Sequence, residues 1–380
     1  MQILCLDDYE TAARRHLPLP VFSYVSGAAE TSWSFQANRT SFGKYGFVTR
    51  VLVDVTRRDM GATLFGRRYD APFGIAPMGL AALSAYRGDL VLARAAAREN
   101  IPMVLSGSSL IRLEDVARAN PDAWFQAYLP GDDAGITALL ARVQAAGFGT
   151  LVITVDTPVA ANRENNVRAG FSIPVRPSLR LAWQGVTHPR WLFGTFLRTL
   201  ASHGMPHFEN SYATRGAPIL SPHVERDMSD RGHLDWRHFR LVRQLWPGKL
   251  VIKGVLEARD ARKAADAGAD GIIVSNHGGR QLDGSVAPLR VLPQIVAACP
   301  DIPVMLDSGV RRGSDVLKAL ALGAAFVFVG RPFSFSAAVA GEDGVLQAIG
   351  LLKAEVSRNM GLLGVTSIGQ LDSSCLVDIT

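Results

Sequence analysis

Short apolar runs recur along this chain from about residue 72, and most are followed by an amphipathic stretch rich in Ala, Leu and Arg. Runs this short and continuously apolar are typical of strands buried on both faces of a parallel sheet. Eight such strand–helix units are the number that closes a barrel. The predicted strands are Phe73–Ala76, Met103–Leu105, Trp124–Tyr128, Leu151–Val155, Leu250–Ile252, Gly271–Val274, Val304–Leu306 and Phe326–Val329.

Helical periodicity fills the stretches between these runs. Examples are Asp89–Glu99, Gly135–Ala146, Glu257–Ala267 and Ser314–Leu322. Small-residue turns around Gly147, Gly268 and Gly323 stand where a helix ends just before a strand. The competing fold is an open doubly wound sheet, but no Gly-x-Gly-x-x-Gly follows the first strand. The sequence therefore predicts an α/β fold, a (β/α)8 TIM barrel.

Other segments are predicted to surround this barrel within a single domain, 1–380. Residues 1–60 are expected to form an N-terminal helical cap, with a helix over Asp7–Arg15 that Leu17-Pro18-Leu19-Pro20 stops. The barrel is expected over 72–355. About 95 residues separate strands four and five, and a connection that long is usually functional. This insertion is placed at 157–235.

The middle of the insertion combines basic and aromatic residues. Between Phe171 and Phe208 there are four arginines and no acid. Five apolar residues are predicted to share one helix face: Leu192, Phe193, Phe196, Leu197 and Leu200. That pattern fits a helix lying in a membrane interface. An oligomer contact and an active-site lid are the alternatives.

Composition excludes several classes of function. The net charge of +6 is spread over 380 residues without a basic cluster, so no nucleic-acid partner is expected. Cys5, Cys299 and Cys375 are too few and too scattered for a disulfide framework or a metal site, which favours a cytoplasmic setting. The N-terminus carries acids early and lacks the pattern of a signal peptide.

The segment Ser275–Gly284 carries the chemistry that the sequence shows best. It leaves the predicted strand Gly271–Val274 as Ser-Asn-His-Gly-Gly-Arg-Gln-Leu-Asp-Gly. His277 is a candidate general base, and Arg280 is a candidate clamp for a carboxylate. A base beside an anion clamp at a strand terminus suggests chemistry on a small acid.

Further candidates follow the other strands, because barrel enzymes place their sites at the carboxyl ends. Gly309 and Arg311 follow strand seven, and Gly330 and Arg331 follow strand eight, where barrels often bind phosphate. The ligands are therefore expected to include a phosphate-bearing cofactor. The remaining candidates are Pro77, Met78, Gly79, Ser106, Ser108, Gln126, Tyr128, Thr154, Asp156, Arg163, Lys253, Ser275 and Asp307.

Two of these residues have open interpretations from the sequence. Lys253 is a candidate for a Schiff base, for a positive charge beside an electron-rich cofactor ring, or for a structural ion pair. Asp156 is a candidate partner of His277 or a helix cap. No metal is predicted, because the insertion's histidines lack ligand spacing: His188, His203, His207 and His223.

The His277 motif, together with Asp-Ser-Gly-Val-Arg-Arg-Gly and Gly-Arg-Pro downstream, resembles the FMN-dependent 2-hydroxy-acid dehydrogenase/oxidase family. That family includes glycolate oxidase, L-lactate dehydrogenase, flavocytochrome b2 and mandelate dehydrogenase, and the resemblance runs from Asp8 to about Gly364. It implies a (β/α)8 barrel, FMN as cofactor, a small 2-hydroxy acid as substrate and a homotetramer.

The resemblance also implies a role for each candidate. His277 resembles the base and Asp156 its partner, while Arg163 and Arg280 resemble the two arginines that bind the substrate carboxylate. Tyr24 and Tyr128 resemble the active-site tyrosines. The positions that resemble flavin contacts are Pro77, Met78, Gly79, Ser106, Gln126, Thr154, Lys253 and Ser275 for the ring, Asp307 for the ribityl chain, and Gly309, Arg311, Gly330 and Arg331 for the phosphate.

Departures from the family pattern favour a particular substrate. Met78 stands where the family usually has Thr. Gly79 matches the glycine that mandelate dehydrogenase has at this position, and Ser108 stands where glycolate oxidase has Trp. The smaller Ser108 predicts room for a bulky side chain. The insertion's His188-Pro189-Arg190-Trp191 resembles membrane-associated members. The expected activity is oxidation of an (S)-2-hydroxy acid, mandelate-dehydrogenase-like, with electrons passed to a membrane quinone at the inner face of the cell membrane.

Other activities remain as alternatives. Within the family these are an L-lactate dehydrogenase and an oxidase that forms hydrogen peroxide. A flavin-dependent isomerase of the isopentenyl-diphosphate type shares the barrel, but His277 with both arginines argues against it. A binding module without catalysis is the last alternative, and the complete catalytic set argues against that as well. Hydride transfer and initial deprotonation of the carbon both fit the residues.

Overall fold

The computed structural model describes residues 2–172, 176, 178–221 and 231–379, and the statements below concern those residues. The predicted site residues all lie within them, whereas His223 does not. The strands are β1 (Tyr45–Phe47), β2 (Ala62–Leu64), β3 (Arg67–Tyr69), β4 (Phe73–Ile75), β5 (Val104–Ser106), β6 (Trp124–Ala127), β7 (Thr150–Thr154), β8 (Lys249–Val255), β9 (Gly271–Val274), β10 (Val304–Leu306), β11 (Phe326–Val329) and β12 (Leu376–Asp378).

Strands β4 to β11 form one parallel sheet in the order β4-β11-β10-β9-β8-β7-β6-β5. The two end strands meet, because Ile75 pairs with Met103 and its N–H donates to the Pro102 carbonyl at 2.8 Å. The sheet thus closes into the predicted (β/α)8 barrel. Each predicted strand overlaps an observed one, and most ends agree within one or two residues.

Side chains from alternate strand positions fill the barrel interior. Val104, Val152, Ile273, Met305 and Phe328 belong to this inner cluster, and all are buried. The other strand faces pack against the surrounding helices. Because both faces are apolar, the strands appear in the sequence as continuous apolar runs.

A hairpin of β2 and β3 closes the end of the barrel opposite the site. Ala62, Leu64 and Tyr69 pack into the inner cluster. At its turn, Phe65 contacts Trp124 at the start of β6. This hairpin lies between the predicted cap and the predicted barrel, and neither prediction includes it.

Helices surround the barrel and lie in the cap and the insertion. They are α1 (Leu6–His16), α2 (Leu19–Ser26), α3 (Trp33–Thr40), α4 (Ala81–Ser84), α5 (Gly88–Arg98), α6 (Leu113–Ala119), α7 (Asp133–Ala145), α8 (Glu164–Ala169), α9 (Leu179–Val186), α10 (Pro189–Trp191), α11 (Arg198–His203), α12 (Trp236–Leu245), α13 (Ala258–Asp266), α14 (Pro288–Ala298), α15 (Gly313–Ala321) and α16 (Arg331–Leu363). Gly147, Gly268 and Gly323 follow helix ends with φ of +92°, +93° and +98°, as predicted.

Helix α1 confirms the helix predicted at Asp7–Arg15 and docks on the barrel's last helix. The Tyr9 hydroxyl donates to Gln347 Oε1 at 2.6 Å. Pro18 and Pro20 end α1 and also begin α2, since a proline is tolerated in the first turn of a helix. By length and composition alone, helix α16 could cross a membrane. It bends at Ala340 and Gly341, and packing buries many of its residues, so it serves as a core helix.

The insertion does not present the single apolar face that was predicted. A π-helical segment, Leu192–Leu197, joins α10 to α11 and changes the angular spacing of the side chains. Leu192 and Phe196 pack against the core, whereas Phe193 and Leu197 face solvent. Helix α9 adds further exposed apolar side chains. The exposed apolar side chains of this segment, called the exposed apolar patch below, are Leu179, Trp183, Val186, Phe193 and Leu197.

Candidate active site

One cavity at the carboxyl end of the barrel gathers most of the candidate residues. Those lining it are Tyr24, Pro77, Met78, Gly79, Ser108, Tyr128, Thr154, Arg163, Lys253, His277, Arg280, Asp307, Gly309, Arg311, Gly330 and Arg331. The other four, Ser106, Gln126, Asp156 and Ser275, are not lining residues. Asp156 and Ser275 form hydrogen bonds with residues that line the cavity, His277 and Lys253. Ser106 and Gln126 bond each other, and they accept from the backbone N–H groups of Ser108 and Gly107, respectively. Apart from Tyr24, which lies in the cap helix α2, these residues lie in or after the parallel strands, and for that reason residues distant in sequence meet.

His277 is held in one orientation. Its backbone has φ +58°, and its N–H donates to Ser275 Oγ at 3.0 Å. The ring nitrogen Nδ1 lies 2.9 Å from Asp156 Oδ1. In the neutral ring Nδ1 is then the donor, which leaves the Nε2 lone pair free to accept a proton. Burial lowers the pKa of His277 although Asp156 opposes the shift, so the imidazole is neutral near pH 7.

Asp156 is positioned by a glycine on the neighbouring strand. Gly254 has φ +102°, and a Cβ there would lie 2.6 Å from the Asp156 side chain. Burial works to raise the pKa of Asp156, but the charges of His277 and Lys253 outweigh burial and leave the pKa lowered. Asp156 is therefore an anion that can stabilise a protonated His277.

Lys253 lies at the centre of a buried polar group. Its ammonium donates to Ser275 Oγ at 2.8 Å and lies 3.0 Å from Asp307 Oδ2. Burial works to lower the pKa of Lys253, but Asp307 and Asp156 outweigh burial and leave the pKa raised. The lysine thus provides a permanent positive charge on the cavity wall.

Two arginines project into the same cavity from different loops. Arg280 donates to the Gly27 carbonyl at 2.8 Å, and its guanidinium lies 5.2 Å from the centroid of the Tyr24 ring. Arg163 donates to the Arg280 carbonyl at 3.1 Å and to Gln281 Oε1 at 2.7 Å. These contacts hold both guanidinium groups at the cavity.

The loops after β10 and β11 bring two further arginines to the cavity, and Arg331 lies beside Arg280, since both donate to the Gly27 carbonyl. Arg331 donates to the carbonyls of Gly27 and Gly278 at 2.8 and 3.0 Å. Arg311 is buried, and its Nε and Nη2 have no hydrogen-bond partner among the described residues. The carboxylates of Asp7 and Glu10 lie 3.5 and 3.9 Å from it. Burial lowers the pKa of both arginines, and the charges of neighbouring arginines lower it further.

Gln126 Nε2 and Thr154 Oγ1 are among the buried polar atoms in this region that lack a hydrogen-bond partner within the described residues. Such atoms are costly unless a ligand completes their hydrogen bonds. Gln126 lies beside Ser106, whose Oγ is 3.2 Å from Gln126 Oε1. The barrel wall is therefore suited to a ligand with hydrogen-bonding groups along its edge.

Comparison with known proteins assigns this arrangement to a family. Residues 13–378 match the FMN-dependent dehydrogenase family. The chain belongs to this family, and FMN is the cofactor of its members. It is 39% identical to (S)-mandelate dehydrogenase of Pseudomonas putida, covering 98% of this chain and 93% of that protein. It is also 39% identical to L-lactate dehydrogenase of Ectopseudomonas mendocina, covering 99% of each. The chain is thus an FMN-dependent 2-hydroxy-acid dehydrogenase by family.

Solved structures agree with this assignment. The monotopic membrane protein (S)-mandelate dehydrogenase superposes with a TM-score of 0.90 at 36% identity and full coverage of both chains. Mandelate oxidase with bound (S)-2-phenylpropionate gives a TM-score of 0.81 at 35% identity, covering 99% of this chain and 98% of that one. The barrel and its cap are therefore shared with both.

Several contacts in the site are not predictable from the sequence motifs. Ser308 Oγ donates to Asp307 Oδ1 at 2.8 Å and accepts from the Gly278 N–H at 3.0 Å. The carbonyls of Val25 and Gly27 each accept from Arg280 and Arg331. Ser308 was visible within the quoted motif, but a backbone carbonyl gives no signal in sequence. Across the described ranges, no three His, Cys, Asp or Glu side chains form a group able to hold a metal ion.

Proposed function

We propose that this protein oxidises an (S)-2-hydroxy acid with a bulky, mandelate-like side chain to the 2-oxo acid and passes the electrons to a membrane quinone. The observation that carries the proposal is the geometry around His277. A buried base paired with Asp156 faces the same cavity as Arg163 and Arg280. A proton acceptor and two carboxylate-binding groups are what a 2-hydroxy acid requires.

The cavity residues fit FMN. Gln126 and Thr154, whose buried polar atoms lack partners, would bond the edge of the ring. Arg311 and Arg331, with the backbone at Gly309 and Gly330, would hold the phosphate. Bound FMN supplies an acceptor for two electrons. Lys253 would contribute a fixed positive charge that stabilises the negative charge of the reduced cofactor.

The substrate would be held by its carboxylate. Arg163 and Arg280 would bind the two carboxylate oxygens, and the hydroxyls of Tyr24 and Tyr128 would contact the substrate as well. Holding the substrate in one orientation lowers the entropic part of the activation barrier. His277 Nε2 then accepts a proton from the substrate, and Asp156 stabilises the imidazolium that results.

Room for a bulky substrate side chain depends on two small residues that line the cavity, Gly79 and Ser108. They pack closely, since a Cβ at Gly79 would lie 3.1 Å from both Ser108 Cβ and the Tyr24 hydroxyl. Because Ser108 lines the cavity, an indole at position 108 would occupy cavity volume that the serine leaves to a substrate. This supports an aryl or long aliphatic side chain over glycolate.

Membrane association is supported by the exposed apolar patch on α9 and the α10–α11 segment. Trp183 and Phe193 are 66% and 65% exposed, which is unusual for large aromatic residues. A protein of the same fold, (S)-mandelate dehydrogenase, is described as monotopic. We therefore place this chain on the inner face of the cell membrane, as the tetramer that its family implies.

Anaerobic bleaching of the bound flavin tests the proposal directly. The holoenzyme would be mixed with S- and R-enantiomers of mandelate and lactate, and with glycolate. S-mandelate or a related aryl acid should reduce the flavin fastest. Fastest reduction by glycolate would contradict the pocket argument, and fastest reduction by S-lactate would support the lactate dehydrogenase alternative. Peroxide formed in air at the full turnover rate would identify an oxidase.

A further inference from the structure

The side-chain amide of Gln281 bridges two loops of the active site. Gln281 lies on the loop after β9, directly after Arg280, and it is not among the residues that line the cavity. Its Oε1 accepts from Arg163 Nη2 at 2.7 Å, and its Nε2 donates to the Val159 carbonyl at 3.5 Å. Because one end of the amide accepts and the other donates, its orientation is defined. The amide therefore contacts the loop after β7, which carries Arg163, at two points.

Arg163 is a residue whose orientation needs such contacts. It stands at the N-cap of the short helix α8 and is half-buried at the cavity. A long arginine side chain has many rotamers, and ordering it costs conformational entropy. Its Nε donates to the Arg280 carbonyl at 3.1 Å, and its Nη2 donates to Gln281. Since the guanidinium is planar, two bonds from two of its nitrogens define the plane of the whole group.

The chemistry of these two acceptors suits a group that binds an anion. One acceptor is a backbone carbonyl and the other is the Gln281 amide, and both are uncharged. These two bonds thus orient the guanidinium of Arg163 without neutralising it. A glutamate at position 281 would accept the same bond more strongly, but it would place a negative charge beside a group that binds a carboxylate.

The two loops are also held together by backbone bonds that do not involve the side chain at 281. The Ala29 N–H donates to the Gly279 carbonyl, and the Glu30 N–H donates to the Asn162 carbonyl, each at 3.0 Å. The cap segment after α2 thus links the loop after β9 to the loop after β7. Because these bonds persist whatever residue stands at 281, loss of the amide should act mainly on the orientation of Arg163.

We propose that Gln281 is a positioning residue for the substrate carboxylate and acts through Arg163. The inference rests on the proposed function, which assigns Arg163 to that carboxylate. Gln281 itself touches neither substrate nor cofactor. The base His277 is held separately, by Asp156 and Ser275. Loss of the Gln281 amide should therefore weaken substrate binding much more than it slows the reaction of bound substrate.

A matched pair of variants tests the proposal in the holoenzyme. Gln281→Met keeps the length of the side chain but removes both hydrogen bonds, and Gln144→Met makes the same change at an exposed position of α7. Anaerobic stopped-flow reduction by the 2-hydroxy acid that bleaches wild type fastest gives an apparent Kd and a limiting rate. For Gln281→Met we expect the Kd to rise about 10–100-fold and the limiting rate to stay within about threefold. Gln144→Met should behave as wild type, and FMN content should be normal in both.

The same substitution in an Arg163→Met background separates positioning from a general structural role. The slope of reduction rate against substrate concentration is compared there, because it needs no saturation. If Gln281 acts through Arg163, adding Gln281→Met should change this slope by less than about twofold. An equal loss in both backgrounds, or a Kd within twofold of wild type in Gln281→Met alone, would overturn the proposal. A wild-type holoenzyme that no 2-hydroxy acid bleaches would refute the proposed function itself, and this inference with it.

Discussion

At the residue scale, the pair of His277 and Asp156 makes the sharpest prediction. His277→Gln removes the base and should lower kcat by about 10²–10⁴-fold. Asp156→Asn keeps the shape but loses the charge that stabilises the imidazolium, so kcat should fall by about 10²-fold or more. Stopped-flow flavin reduction measures both effects. Because neither residue would bind the phosphate, FMN content should stay normal, and a variant that loses FMN would point to a structural role.

The pH dependence of kcat/KM follows from the same pair. Protonated His277 cannot accept a proton, so the rate should fall as the pH drops through its pKa. Burial lowers that pKa, which places the acid limb below the ordinary histidine value of about 6.5. Asp156 opposes the shift, and its removal in Asp156→Asn should move the limb to still lower pH. A limb that moves upward in this variant would contradict the assignment.

Ser108 tests which residues set the size of the substrate. Ser108→Trp would fill the space beside Gly79, and overpacking of this kind costs about 1–3 kcal/mol. The kcat/KM for S-mandelate should therefore fall about 10–100-fold, while that for S-lactate should change little. Leu362→Trp is the control, since Leu362 is an exposed residue of α16 that does not line the cavity. Equal losses for the two substrates would show that position 108 does not select for size.

At the element scale, the barrel was predictable from sequence for a physical reason. Parallel strands are buried on both faces, so they appear as continuous apolar runs, and glycine marks the helix ends before them. The site was predictable for a related reason, because every strand places its following loop at the same end. Asp156 and His277 are 121 residues apart in sequence and 2.9 Å apart in space.

Elements whose geometry depends on the backbone were not predictable in this way. The π-helical segment Leu192–Leu197 sends Phe193 outward and Phe196 inward, which a regular helical period does not anticipate. The carbonyls of Val25 and Gly27 hold two arginines, yet any residue has a carbonyl. The β2–β3 hairpin is short, and any alternation of buried and exposed side chains extends over only three residues in each strand.

The exposed apolar patch on the insertion gives the prediction for these elements. Replacing Trp183 and Phe193 together by Glu removes apolar area and adds charge, so partition into lipid vesicles should fall about tenfold or more. Sedimentation with vesicles measures the partition. The control is Val377→Glu, at a valine that is 49% exposed on β12. If the double variant sediments with vesicles as wild type does, the segment is an active-site lid or an oligomer contact rather than a membrane contact. Loss of the tetramer in the same variant would identify the oligomer contact.

At the scale of the whole molecule, stability should depend on a buried carboxyl group far from the catalytic chemistry. Asp89 lies in the first turn of α5, is 1% exposed, and has an Oδ2 atom without a hydrogen-bond partner among the described residues. Burial raises its pKa to about 7. In the unfolded chain the same group titrates near 3.9. Between these two values the folded protein holds a proton that the unfolded chain has released.

The consequence is a free energy of unfolding that decreases as pH rises from about 4 to about 7, because the folded state binds more protons there. Asp89→Asn removes the titration. The variant should match wild type near pH 4, provided that the amide keeps the contact with Ser109, and it should be more stable at pH 8 by up to about 4 kcal/mol. Urea unfolding of both holoenzymes across this range measures the difference. A gap that does not grow with pH would show that Asp89 is ionised in the folded protein and paired by contacts stronger than burial.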